Sequence, residues 1–265
     1  MKKLYITFSG AAYDDTTSRI VQFGPHFGAD QVLVYDDAWL MNTEFYLLNK
    51  WLWTYPRTDD PRRRPRGFGW FCWKPFIILE ALQRFCEPGD IVLYTDADTF
   101  PIHDLSALYS ECDRIGGTML FNAYGCDHVN WCKDDCHTVM GQWDEFYGSK
   151  NHGVARFMLF QKGPWKVQQF LMEWLTYAIN PLATTFDRSV LTDPAYPIDK
   201  MVHEHRTEQA IMTNLAYKYG HKLYREACQN AATQPEDQDL YPQLFTQVGC
   251  HGNTKSLEGS RFRNV

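Results

Sequence analysis

Hydrophobic positions along the chain switch between a period of two and a helical period. Lys3 to Phe8 alternates and is rich in Tyr, Ile, Thr and Phe, which predicts a first strand closed by the small residues Ser9, Gly10 and Ala11. Thr16 to Phe27 predicts a helix ending near Gly28, and Gln31 to Tyr35 a second strand. Thr43 to Trp53, with Phe45, Leu48 and Leu52 on one side, predicts another helix. Ile77, Ile78, Ala81, Leu82 and Phe85 then fall at helical spacing behind Pro75, a residue suited to a first turn. Ile91 to Tyr94 is a short apolar run after the turn formers Pro88, Gly89 and Asp90, and predicts a buried strand.

Further on, Asp104 to Arg114 predicts a helix, and Thr118 to Asn122 and Asn151 to Phe160 predict strands. Trp165 to Ile179 is amphipathic, with Phe170, Leu171, Trp174, Leu175 and Ala178 inward. Thr207 is placed to N-cap a helix carrying Ile211, Met212, Leu215, Ala216 and Tyr219, closed by Gly220. Lys222 to Arg225 predicts a last short strand. Strands alternating with helices predict an α/β fold.

Composition narrows the picture. A length of 265 residues suits one domain with a sizeable core, and abundant apolar and aromatic residues exclude a disordered body. A net charge of −6 argues against general nucleic-acid binding, with a local exception in the basic run Arg57 to Arg66. Lys2 and Lys3 are not followed by a continuous apolar segment, and no apolar run has the length of a membrane span. The expectation is a soluble, cytoplasmic protein, in which the eight cysteines serve as small buried residues or free thiols.

The candidate chemistry centres on Asp96 and Asp98, which follow the Ile91–Tyr94 run directly. In α/β sheets ligands sit beyond the carboxyl ends of strands. Two aspartates one residue apart can present oxygens to one hard cation, whose remaining positions are filled by water and phosphate. Strand-Asp-x-Asp therefore reads as a metal-bridged diphosphate site, against the alternative of a solvated turn.

Three ordered blocks carry a resemblance. Ile91 to Asp98 resembles the DxD strand of GT-A nucleotide-sugar glycosyltransferases. Gly67 to Leu82 resembles the G-x-G-x-x-x-W-K-P block of bacterial and viral polysaccharide-type glycosyltransferases, and His205 to Ile211 their H-R-x-D-Q segment, here with Glu208 in place of Asp. The resemblance implies a GT-A fold, a Rossmann-like mixed central sheet flanked by helices, as one domain over residues 1–265. Residues 1–122 would be its nucleotide-binding half, and residues 123–265 its acceptor-binding half and tail. It also implies the inner membrane face or a virus-infected cell as further settings.

By the same resemblance, Thr7, Phe8 and Ser9 contact the nucleotide, Trp73, Asn151 and His152 line the sugar or acceptor pocket, and Glu208 and Gln209 face the anomeric carbon. His251 and Lys255, in His-Gly-x-x-Lys, resemble the tail of the glycogenin and lipopolysaccharide galactosyltransferase type. There the histidine is a third metal ligand beside the two aspartates, and the lysine holds the diphosphate. The cofactor implied is Mn²⁺ or Mg²⁺, and the donor a UDP- or GDP-sugar. The acceptor would be a hydroxyl of a glycan, a lipid-linked glycan or a protein. The tail favours retention of configuration over inversion.

Other residues keep alternatives open. Arg66, last of the arginine run, is the preferred cation for donor phosphates, since guanidinium pairs well with phosphate; a solvated charge run is the alternative. Lys74 stands at a helix start, where a cation opposes the dipole. That misplacement points either to a salt bridge with a buried acid or to a grip on the donor. Cys126, His128, Cys132, Cys136 and His137 have zinc-type donors but no CxxC pair, so an acceptor-side loop with free thiols competes with a zinc site. Asn180 to Val202 reads as a long loop walling the acceptor site. The rival functions are a sugar-nucleotide pyrophosphorylase, which would want Arg and Lys after the first strand where Ser9-Gly10-Ala11-Ala12 stands, and a non-catalytic carbohydrate- or zinc-binding module.

Overall fold

A computed structural model describes residues 1–10, 13–54, 68–141, 150–186, 205–228 and 240–248. Its elements run β1 (Lys3–Ser9), α1 (Asp14–His26), β2 (Gln31–Asp36), α2 (Asp37–Met41), α3 (Glu44–Asn49), α4 (Trp51–Thr54) and α5 (Trp73–Phe85). They continue with β3 (Ile91–Asp96), β4 (Thr99–Pro101), α6 (Ser106–Arg114), β5 (Thr118–Asp127), α7 (Asp134–Val139) and β6 (Asn151–Gln161). The last are α8 (Trp165–Ala178), α9 (Pro181–Thr184), α10 (Thr207–Lys218), β7 (Leu223–Tyr224) and β8 (Phe245–Gln247).

Six strands form one mixed sheet in the order β2-β1-β3-β6-β5-β7. β1 is parallel to β2 and β3, β6 is antiparallel to β3 and β5, and β7 is parallel to β5. Strand side chains alternate between the two faces. In β3, Val92 and Tyr94 join the core beneath α5, α8 and α10, whereas Ile91 and Leu93 join the core beneath α1 and α6. Helices therefore cover both faces, and the α/β architecture with a mixed central sheet that the resemblance implied is the one observed. Among the described residues no helix is long and apolar enough to cross a membrane.

Several elements differ from expectation. Arg206, not Thr207, takes the N-cap position of α10, the Thr207 hydroxyl donating to the Glu208 carboxylate instead, and α9 forms within the stretch from Asn180 read as a loop. The helix expected over Thr43 to Trp53 is divided into α3 and α4, and α2 precedes it. The Asp36 and Thr43 side chains each cap a new first turn, accepting the backbone N–H of Trp39 and of Tyr46 respectively. Asn49 donates back to Phe45 O. Such side-chain to backbone bonds favour short capped turns over one continuous helix. β5 runs past Asn122 to Asp127, with an irregular register against β6 between Ala123 and Asp127, where Gly125 has φ +72°.

A second, two-stranded sheet pairs β4 with β8, Thr99 opposite Gln247. It brings residues far apart in the chain against the turn that carries Asp98. The seven described cysteines are all free thiols, and all but Cys126 are buried.

Candidate active site

β1 and β3 are parallel, with Phe8 opposite Asp96, so Asp96 emerges at the carboxyl end of the central strands. It shares a strand face with Tyr94 two residues earlier, whose hydroxyl donates to Asp96 Oδ1 over 2.6 Å. Lys74, in the first turn of α5, reaches the same oxygen. Its Nζ lies 2.9 Å from Asp96 Oδ1 and 2.9 Å from Glu208 Oε1, and donates to Ala155 O at 3.1 Å. All three ammonium hydrogens thus have acceptors. The ammonium also lies 4.8 Å from the Phe71 ring centre and 5.6 Å from that of Tyr94.

Glu208 is buried at the start of α10. The Thr207 hydroxyl donates to its Oε2, and Trp174 Nε1–H donates to its backbone carbonyl at 2.9 Å. Burial pushes its carboxyl pKa up, and the Lys74 charge and the Thr207 hydroxyl only partly offset this. For Lys74, burial works to lower the pKa, but the Asp96 and Glu208 charges outweigh it and hold the ammonium above its ordinary value.

Backbone strain accompanies both residues. Gly69, Trp70 and Phe71 have φ of 58°, 57° and 58°, a left-handed turn just before Lys74, and Thr207 has φ 42° just before Glu208. Left-handed backbone at non-glycine residues costs free energy and clusters at functional sites. Only glycine fits at position 69, because a Cβ there would meet the Trp53 ring at 2.3 Å.

Asp98 is half-buried in the turn after β3. Thr99 Oγ1 donates to Oδ1 and Gln247 Nε2 to Oδ2, each at 2.9 Å, while Val248 N donates to the Asp98 carbonyl at 2.8 Å. Burial, and then the neighbouring Asp96 charge, push its carboxyl pKa up. A hard-oxygen pair of this kind suits Mn²⁺ or Mg²⁺. Asp96 Oδ2 has no hydrogen-bond partner among the described residues, so it keeps acceptor capacity for a cation.

The other expected site residues fall in different places. Thr7 is buried and donates to Thr95 O at 2.8 Å. Phe8 is buried against Trp73, ring centres 3.9 Å apart, and Trp73 Nε1–H donates to Phe68 O at 2.9 Å. Ser9 Oγ lies 2.6 Å from Thr17 Oγ1. Asn151 and His152 open β6, which runs antiparallel to β3, so they lie beyond the same carboxyl end. Asn151 is exposed, whereas His152 is buried against His128. Gln209 is half-buried next to Glu208. Arg66, His251 and Lys255, the arginine run and most of the loop after Asn180 lie outside the described residues.

Lys74, Asp96, Asp98 and Glu208 are therefore the expected residues that meet at one strand end. Gln247 and Val248 belong beside them, and nothing in their local sequence marks them. Tyr94 could have been found: a tyrosine two residues before an aspartate on a strand shares its face.

No protein-family profile matches the sequence, and no curated protein does. Among solved structures, the chain is similar in outline to a glycosyltransferase involved in the glycosylation of the major capsid of PBCV-1. Identity is 10%, over 95% of this chain and 96% of that one, with a TM-score of 0.46. It is also similar to mouse xyloside xylosyltransferase 1 in its apo form, at 10% identity over 94% and 97% of the two chains, with a TM-score of 0.45. At this distance neither likeness assigns an activity, and the functional reading rests on the residues.

Proposed function

We propose that this chain transfers a glycosyl group from a nucleoside-diphosphate sugar to an acceptor hydroxyl, using a GT-A-type site. The observation that carries the reading is the buried Lys74, which ties Asp96 at the end of β3 to Glu208 at the start of α10. Burying one cation between two carboxylates carries a large desolvation cost, and charge groups perturbed in this way cluster at functional sites. Asp96 and Asp98 supply the oxygens for Mn²⁺ or Mg²⁺, which when bound would neutralise charge on the donor diphosphate.

His251 stands three residues beyond Val248, whose N–H bonds to the Asp98 carbonyl. Three residues of chain span up to about 10 Å. The length of chain thus permits His251 to act as a third ligand and leaves Lys255 available to the diphosphate; Arg66 is a further candidate for the phosphates.

Retention of configuration fits better than inversion. A general base must be able to reach the acceptor proton. Glu208 instead has Lys74 on one oxygen and Thr207 on the other. It acts as a fixed negative charge that stabilises positive charge developing at the anomeric carbon. Gln209, the next residue, is placed to donate or accept at the same centre.

Nucleotide release from a panel of UDP- and GDP-sugars with Mn²⁺, with and without an alkyl-glycoside acceptor, tests the reading. Release of one nucleoside diphosphate, abolished by Asp98→Ala, is expected. No release from any donor, together with no Mn²⁺-dependent nucleotide binding, refutes it.

A further inference from the structure

A second cluster of metal-type side chains lies apart from the carboxylate site. One donor atom each from His128, Cys132 and His137 lie within 4.8 Å of one another, and all three side chains are buried. Cys136 adjoins them. The Asn214 side chain of α10 sits among these groups, its Nδ2 3.6 Å from Cys132 Sγ, 3.7 Å from Cys136 Sγ and 3.4 Å from Met140 Sδ. Its Oδ1 lies 2.8 Å from His128 Nε2.

We propose that His128, Cys132 and His137, with Cys136 as the fourth donor, form a zinc site. Two imidazoles and two thiolates are a preferred zinc set, with Zn–N of about 2.0–2.1 Å and Zn–S of about 2.3 Å. A tetrahedron with those bonds spaces its donors about 3.3 to 3.8 Å apart. Three donors already within 4.8 Å need a shift of roughly an ångström, together with withdrawal of the Asn214 amide.

Of the bonds that metal ligation replaces, the three Asn214 amide contacts to sulfur are weak, because sulfur is a poor hydrogen-bond acceptor, and the one bond of ordinary strength is between His128 Nε2 and Asn214 Oδ1. Burying two thiols on amide N–H to sulfur contacts returns little for the loss of water. An outer partner is also in place. His152 Nδ1 lies 2.8 Å from His128 Nδ1, the position from which a second group orients a ligating imidazole. Each zinc bound to two thiols releases two protons to solvent, which balances the charge.

The site would brace the path into α10. Arg206 N donates to Trp131 O at 2.9 Å, and Lys133 N to His205 Nδ1 at 3.3 Å. The ligand segment therefore abuts residues 205 and 206, which lead to Glu208. Zinc here is structural, since four protein donors leave no open position for substrate.

The test uses the full chain, reduced and gel-filtered, with zinc measured by inductively coupled plasma mass spectrometry and cobalt(II) added to the chelator-treated protein. About one zinc per chain and a thiolate-to-cobalt charge-transfer band are expected. Cys132→Ser and His137→Gln should each weaken zinc binding at least about tenfold, while Asp98→Asn keeps the full zinc content. Less than about a tenth of an equivalent and no cobalt band, in protein folded by circular dichroism, overturns the proposal. So does loss of the metal in Asp98→Asn, which would place it at the carboxylate site. Should the cysteine variant not fold, the cobalt spectrum of the unmutated chain decides alone.

Discussion

Replacing Lys74 by methionine keeps the unbranched stem, one atom shorter, and deletes its charge. Two acids lose their shared cation. Asp96 is 30% exposed and can turn to water, but Glu208 is 4% exposed and cannot. Removing one partner of a buried ion pair costs about 3–5 kcal/mol. With Asp96 able to relax, we expect about 3 kcal/mol at pH 7. At roughly 2–4 °C per kcal/mol for a domain of this size, that lowers Tm by about 6–12 °C.

The loss should depend on pH with a defined sign. Without Lys74 the Glu208 carboxyl is raised further by burial and by Asp96. An acid with a raised folded pKa destabilises the fold only while it is ionised in the unfolded chain, that is, above about pH 4.3. The gap between variant and wild type should therefore shrink from pH 7 toward pH 5, by up to about 1.4 kcal/mol per pH unit. Differential scanning calorimetry at both pH values measures it. Adding Glu208→Gln to Lys74→Met should recover about 1–3 kcal/mol, because the two residues are in contact. A Tm shift under about 2 °C that does not change with pH would refute the role assigned to Lys74.

Three further outcomes follow from the same geometry. Asp98→Asn, at a half-buried turn, should change stability by no more than about 1 kcal/mol and yet lose the Tm increase given by Mn²⁺ plus nucleoside diphosphate, read by thermal shift. Gly69→Ala places a Cβ 2.3 Å from the Trp53 ring at φ +58°, so urea unfolding should show a loss of about 2–4 kcal/mol. Gly153→Ala meets only the Thr213 hydroxyl at 2.9 Å and the flexible Met212 methyl at 3.0 Å, at a φ that any residue adopts, and should cost about half as much.

Much of the architecture was legible without coordinates. The period-two and helical stretches located β1, β2, β3, β6, α5, α8 and α10, because each buries a face whose spacing is a local property. The carboxylate pair was legible too, since Asp96 and Asp98 end an apolar run that has to be a strand. Lys74 announced itself as a cation at the wrong end of a helix.

What the periodicity does not encode is which distant groups meet. That Lys74 joins Asp96 to Glu208 depends on α5 and α10 packing on one face of the sheet. That Gln247 and Val248 hold Asp98 depends on β8, three residues long and too short to show a pattern, pairing with β4. The same limit hid the burial of Phe8, Trp73 and His152: Phe8 closes on Trp73 once β1 and α5 are brought together, and His152 of β6 closes on His128. Local spacing decides which face of an element is apolar. Only the closed tertiary structure decides which polar groups are stripped of water together and which charges then face one another, and that balance raises the pKa of both Lys74 and Glu208.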